Sequence, residues 1–397
     1  MRVGPVPPWR PLAVVVRPTY AHIDLDAIQA NFQAVVSHVG GRSGGVEVIA
    51  VVKANGYGHG AVPVARALEA AGARMLACAD IEEGVELRRG GVRAPILVFG
   101  ALSVSDLDGV FSYDLTPTIS SPFAARALRE EASRRGTRVR CHLKIDTGMN
   151  RLGFRYDNLA GTIPVALAGA GLEIDAVYTH FATAEDPAHP LFDQQRERFD
   201  EALARLSALG VRPRVRHASN SGALLRDPTT WFDAVRPGLL LYGVAPPEWA
   251  ERLSLRPAMT LHSRVVAVKG MRVGETAGYG AREAVTRPTT IAIVPAGYAD
   301  GLDVRLAGRG SVLVRGRRVP VVGSVCMDSI TIDVTGLDVT PGDEVVLLGS
   351  QSGGVIGAGD VAAAIGTVPH EILCRTGSRI VRTYDGEPSP SASPATP

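Results

Sequence analysis

Eight short strand-like runs, all but one containing β-branched residues, recur between residues 48 and 242. They are VIAVVK (48–53), MLACA (75–79), PILVFG (95–100), DLTPTI (114–119), VRCHLKID (139–146), IDAVYTH (174–180), RVRHAS (214–219) and VRPGLLLY (235–242). The stretches between them have helical spacing. Parallel strands need a crossover connection, and an intervening helix supplies one. Eight such units predict a closed (β/α)8 barrel, a TIM barrel of the α/β class, with its working groups at the C-terminal ends of the strands. The helices carry their own signals. Asp26 reads as an N-cap ahead of Ile28, Phe32, Val35, Val36 and Val39, with Gly40 as the stop. Ser121-Pro122 opens a second helix that Gly136 closes, and Phe199, Ala202, Leu203 and Leu206 form the stripe of a third that ends at Gly210. An open doubly wound sheet is the competing arrangement, but it wants a GxGxxG turn after an early strand, and the sequence has none.

From about residue 255 the texture changes. RVVAVKG, TIAIVPAG, SVLVRGRRVPVVG, SITIDVTG and DEVVLLG are short strands cut by glycine and Pro-Gly turns, and Ile330, Ile332 and Val334 alternate clearly. A mainly β C-terminal domain follows, with one late helix near 358–366. The expected division is a flexible proline-rich extension over 1–18, the barrel over 19–252, the β domain over 253–386 and a disordered tail over 387–397.

Charge and composition narrow the function. There are 42 basic and 40 acidic residues, a net charge of +2, with no long block of like charge, so no nucleic-acid partner is expected. The longest apolar runs have eight residues (165–172 and 238–245), far short of a membrane span. The start lacks the apolar core of a signal peptide. Cys78, Cys141, Cys326 and Cys374 form no CxxC pair and no zinc-type cluster, so no metal site is expected, and reduced thiols point to the cytoplasm.

Only three lysines occur: Lys53, Lys144 and Lys269. Lys53 ends the first predicted strand in AVVKANGYGHG. A lysine there either snorkels to solvent or lies partly desolvated in the barrel mouth, where its amine becomes nucleophilic. The glycine-spaced NGYGHG that follows brings Tyr57 to the same mouth and favours the second reading. Such a lysine suggests a Schiff base, either to a substrate carbonyl or to pyridoxal phosphate. A phosphate would find a seat in the loops after strands seven and eight. There Asn220-Ser221-Gly222 and Pro237-Gly238-Leu239 supply small residues, exposed backbone N–H groups and one hydroxyl.

Nine motifs in order then resemble bacterial alanine racemase, a pyridoxal-phosphate enzyme built as a barrel followed by a β domain. They are AVVKANGYGHG, KIDTGMNRLGF, THFATAED, ASNSGALL, VRPGLLLYG, the AGYG of 277–280, GYADG, GSVCMDSITIDVT and RIVRTY, and the resemblance runs from about Tyr20 to Tyr384. The resemblance implies a homodimer with active sites shared across its interface. It implies that Lys53 carries pyridoxal 5′-phosphate and acts as one catalytic base, with Tyr279 as the opposite base from the partner subunit. A proton removed from one face of a carbon and returned to the other suits two such bases. Arg236 resembles the arginine facing the cofactor's pyridine nitrogen; because guanidinium keeps its protons, that nitrogen should stay unprotonated and transamination be suppressed. Arg151 and Met327 match positions that engage the substrate carboxylate, and Tyr298 and Asp328 match positions at a narrow substrate entrance. Lys144 matches a lysine that is often carbamylated and steadies the arginine. His180 matches a residue beside the ring, and Tyr57, Asn220, Ser221, Gly238, Leu239 and Tyr384 match cofactor-holding positions. Asn150 stands where many relatives carry glycine. The implied activity is interconversion of L- and D-alanine, supplying D-alanine for peptidoglycan. The competing readings are a racemase of another small amino acid such as serine, a related decarboxylase, and a non-catalytic cofactor-binding barrel. The decarboxylase would want an acidic residue where Arg236 stands.

Overall fold

The structure is a computed structural model, and it describes residues 17–40, 45–102, 106–281 and 283–385. Nearly all of the proline-rich extension and the whole 387–397 tail lie outside those residues. The described chain forms two compact units, one from Ile23–Met259 with Pro369–Cys374, Tyr384 and Asp385, the other from the residues up to His22, Thr260–Val368 and Arg375–Thr383.

The first unit is the barrel. Its strands are Glu47–Val51, Met75–Cys78, Ile96–Val98, Thr116–Ile119, Val139–Asp146, Leu172–Tyr178, Val215–His217 and Ala234–Val235. Each pairs in parallel with the next. The eighth closes on the first, with Ala234 opposite Glu47 and Val235 opposite Val48. Helices cover the outer face and the strands are largely buried, with the apolar pattern unbroken after Glu47 in the first three and interrupted by charged residues and histidines in the fifth to seventh. Ala50, Leu76, Ala77, Ile96, Leu97 and Val177 are fully buried.

Two local expectations need correction. The first helix, Leu25–His38, is capped by Asp24, whose carboxylate accepts from the Ala27 N–H at 2.7 Å. Leu25 is already buried as the first helical residue, so the cap falls on Asp24, and Asp26 stands exposed in the first turn. The eighth strand is two residues long instead of eight. Pro237 has no N–H for a ladder, and Gly238 leaves the extended region at φ −113°, ψ −86°; Leu239–Tyr242 then form a buried 3₁₀ turn. An all-apolar run fits either state. The helices Pro122–Arg134, capped by Ser121, and Leu191–Ala208 form where their stripes place them.

The second unit is a largely antiparallel sheet with the strand order Ala267–Met271, Thr289–Val294, Ile330–Asp333, Arg317–Val322, Ser311–Val314, Glu344–Gln351, Met259–Arg264, Tyr20–Asp24, Val381–Asp385. Leu313, Val346 and Ile356 pack a small core on it. The strand Tyr20–Asp24 alternates between half-buried and buried residues, the pattern of a one-sided antiparallel strand, although the sequence reading placed it with the barrel. The late helix is Ala358–Ile365, and a further short one, Pro369–Cys374, belongs to the barrel unit.

Candidate active site

A cavity of about 640 Å³ opens at the C-terminal ends of the barrel strands, within the size range of a small-molecule site. Its wall includes Lys53, Tyr57, Lys144, Arg151, His180, Asn220, Ser221, Arg236, Gly238, Leu239 and His370. Four cationic side chains (Lys53, Lys144, Arg151, Arg236) face two carboxylates, Glu185 and Asp186, so the cavity suits an anionic ligand.

Lys53 follows the first strand by two residues and opens a turn of left-handed backbone. Ala54, Asn55, Gly56 and Tyr57 lie at φ of 54°, 53°, 60° and 51°. A residue with a Cβ pays roughly 1–2 kcal/mol for that conformation, so the surroundings must hold it there. Asn55 Oδ1 accepts from the Ala61 N–H at 2.8 Å, and His59 Nδ1 donates to the Tyr57 carbonyl at 2.9 Å. Burial first, then the charge of Arg151, pulls the Lys53 amine below the usual lysine range.

Tyr57 is buried and stacks on Tyr242 with ring centroids 4.8 Å apart. A Cβ at position 238 would lie 2.3 Å from the Tyr57 hydroxyl, so only glycine fits there. The Gly238 N–H donates to Ser221 Oγ at 2.9 Å. Asn220 caps the helix Ser221–Arg226 by accepting from the Ala223 N–H at 3.0 Å. Tyr57, Ser221 and Gly238 therefore form one cradle. The Tyr384 hydroxyl lies against the Gly60 α-carbon, close to the loop that carries Tyr57.

Arg236 is buried and fully engaged. It donates to the carbonyls of Thr179 and Ala218, both at 2.8 Å, and to His217 Nδ1 at 2.9 Å, with His180 Nδ1 at 3.3 Å. Arginine only donates, so His217 accepts on Nδ1 and carries its proton on Nε2, which points to His142 Nδ1 at 3.0 Å. Burial holds His180 and His217 well below the ordinary histidine range and pulls His142 down to about 4. All three rings are neutral at physiological pH. Burial also pushes Arg236 down to about 10, which still leaves it charged.

Lys144 is buried on the fifth strand, with Nζ 5.6 Å from the Tyr178 ring centroid, and burial with Arg151 beside it brings its amine down to about 8. The loop to Arg151 turns at Asn150, at φ 54°, where Asp146 Oδ1 accepts from the Asn150 N–H at 3.1 Å. Asparagine tolerates that left-handed conformation better than most residues.

Tyr279, Tyr298, Met327 and Asp328 belong to the β unit. Tyr279 is 78% exposed, Met327 51% and Tyr298 45%. The Tyr298 N–H donates to the Cys326 carbonyl at 3.0 Å and the Ala299 N–H to that of Met327 at 3.1 Å, which seats one predicted entrance loop on the other. Arg379 donates to Asp328 at 2.7 Å. Sequence reasoning missed His142, His217, Tyr178 and His370. His142 stands two residues before Lys144 on one strand, and so on the same face, which was an available signal. His370, its ring 5.9 Å from that of Tyr57, sits on a helix too short to show a period.

The sequence matches the family model of the alanine racemase N-terminal domain over residues 23–246 and of the C-terminal domain over 258–384. An alanine racemase of Symbiobacterium thermophilum is 44% identical over 375 residues, 94% of this chain and 98% of the relative. The crystal structure of alanine racemase from D-cycloserine-producing Streptomyces lavendulae superposes with a TM-score of 0.88 at 38% identity, covering 94% of this chain and 98% of that one. The alanine racemase of Bartonella henselae, solved with covalently bound pyridoxal phosphate, gives a TM-score of 0.81 at 30% identity over 93% of this chain and 99% of its own.

Proposed function

The chain belongs to the alanine racemase family of isomerases, and from that premise we propose that it interconverts L- and D-alanine with pyridoxal 5′-phosphate held on Lys53, using Lys53 and Tyr279 as opposed bases. The observation that carries this reading is the cavity itself. It presents a desolvated lysine amine, a Tyr57–Ser221–Gly238 cradle into which no Cβ fits at position 238, and a buried guanidinium. That donor set fits an aldehyde with a phosphate and an aromatic ring nitrogen.

When bound, the cofactor supplies an electron sink that acidifies the α-hydrogen of the amino acid. The protein's own groups do the rest. Burial lowers the Lys53 amine below the usual lysine range and so favours its neutral form, the form that attacks a carbonyl or takes a proton. Arg236, locked by two carbonyls and His217, has no proton to give, so an acceptor nitrogen opposite it remains unprotonated. Arg151 offers a paired donor to the substrate carboxylate, and Met327 adds a backbone contact. Tyr298 and Asp328 narrow the entrance so that a methyl side chain passes. Tyr279 reaches the opposite face from the partner subunit of a homodimer. The exposure of Tyr279, Met327 and Tyr298 supports a covered face, since large apolar groups left in water commonly mark an interface. The D-alanine formed would feed peptidoglycan in the cytoplasm. No helix among the described residues is long and apolar enough to cross a membrane.

The test is a chiral assay of L-alanine, L-serine and other small L-amino acids with cofactor added. D-alanine should form fastest. Faster turnover of serine would move the specificity, and no D-amino acid from any substrate would overturn the reading.

A further inference from the structure

The left-handed turn after Lys53 is held by a side chain from the neighbouring βα loop. Glu83 is the third residue of the helix Ile81–Arg89, whose cap Asp80 accepts from the Glu83 N–H at 2.9 Å. Its carboxylate reaches back across two loops. Oε1 accepts from the Ala54 N–H at 2.6 Å and Oε2 from the Ala79 N–H at 2.7 Å, just past the second barrel strand. Both are charge-assisted bonds to backbone, stronger than neutral ones.

The Ala54 N–H lies in the same rigid peptide plane as the Lys53 carbonyl. Fixing its direction fixes ψ of Lys53 and the path by which that side chain leaves the backbone. The next residues want to leave this geometry, because Ala54, Asn55 and Tyr57 each hold a conformation that only glycine enters freely. The Gly56 N–H to Val52 carbonyl bond (2.9 Å) and the Gly58 N–H to Ala54 carbonyl bond (3.0 Å) close the turn once it is formed. Glu83 anchors its first residue.

We propose that Glu83 is a positioning residue for the Lys53 amine, pinning the Ala54 N–H to the Ala79 N–H and so keeping the left-handed turn that aims Lys53 into the cavity. The inference rests on the reading of Lys53 as the cofactor-bearing lysine. A second effect of Glu83 has to be separated from this one. Its negative charge, with Cys374, favours the protonated Lys53 amine, against burial and the cations Arg151 and Arg236; Lys144, His180 and His370 face the same amine.

Glycine at position 54 separates geometry from charge, because it removes the strain and leaves every charge in place. Full-length wild type, Glu83→Ala, Glu83→Ala/Ala54→Gly and Glu83→Gln are titrated with pyridoxal phosphate, reduced with borohydride, and read by peptide mass at Lys53. Glu83→Ala should weaken covalent attachment by about tenfold, and Ala54→Gly in that background should recover at least about threefold. If circular dichroism shows Glu83→Ala unfolded, Glu83→Gln with and without Ala54→Gly makes the same comparison. Undiminished attachment in the Glu83 variants, or a loss that Ala54→Gly leaves untouched, overturns the role of Glu83 alone. No attachment at Lys53 in wild type overturns the reading of the site, and Glu83's role with it.

Discussion

Burial does more than charge to set the chemistry of the two cavity lysines. For Lys144 it brings the amine to about 8, so at pH 7 about one molecule in ten carries it neutral, against about one in three thousand at the ordinary value. A neutral amine is the form that takes up carbon dioxide. With ¹³C-bicarbonate, a carbamate signal should grow as pH rises through about 8 and be absent from Lys144→Ala; a signal that falls over that range would show that Lys144 is not the site. The product would place a negative charge beside Arg151. Lys53→Ala should fold, fix no cofactor on borohydride reduction, and lose at least about a hundredfold in racemisation, the low end of what a positioned proton-transfer group contributes. Lys144 lies on another strand and Lys269 in the β unit, so neither should replace it; retained covalent cofactor would contradict the assignment. Lys53 stood out in the sequence because lysines are so few and this one ends a buried run. His217 did not, because a single histidine in RVRHAS looks the same whether it fills a core or accepts from an arginine. Only the fold, which brings Arg236 2.9 Å from its Nδ1, tells the two apart.

The barrel strands were readable because strands covered on both faces are rich in apolar residues and here alternate with helical segments, and eight such units leave few other closures. What the same logic could not resolve is where an apolar run stops being a strand. VRPGLLLY is uniformly apolar past its arginine, and the switch to a 3₁₀ turn comes from Pro237 and the backbone of Gly238. The helix Pro369–Cys374 was invisible for a related reason: six residues are under two turns, too few for a period. Yet that helix is locked to the Lys53 turn. Gly58 sits at φ +81°, and a Cβ there would lie 2.1 Å from the Leu373 carbonyl, a backbone atom with little room to give. Gly58→Ala should therefore cost roughly 2–4 kcal/mol, overpacking and left-handed strain together. It should also weaken cofactor binding by displacing His370. Chemical denaturation reads the first effect and a cofactor titration the second; a midpoint unchanged from wild type would mean the turn and the helix do not meet so closely.

The residues proposed for the active site divide between the two units. Lys53, Arg151 and Arg236 belong to the barrel, while Tyr279, Met327 and Asp328 belong to the β unit. If each active site takes Lys53 from one subunit and Tyr279 from the other, a two-fold dimer contains two equivalent mixed sites. Homodimers of Lys53→Ala and of Tyr279→Phe then each lack one base in every site, and both should be nearly inactive. A mixed dimer differs: one of its sites collects both substitutions and the other receives both native residues. Random assortment makes about half the dimers mixed, each with one good site in two, so the pooled activity should recover to about a quarter of wild type. Co-expression with two affinity tags isolates the mixed species, which should then show about half the wild-type activity per dimer by the same symmetry. Activity that stays at the level of the parent variants in the purified mixed dimer would place both bases on one chain. The β unit would then complete the site of its own barrel, and the exposed Tyr279 would need another explanation.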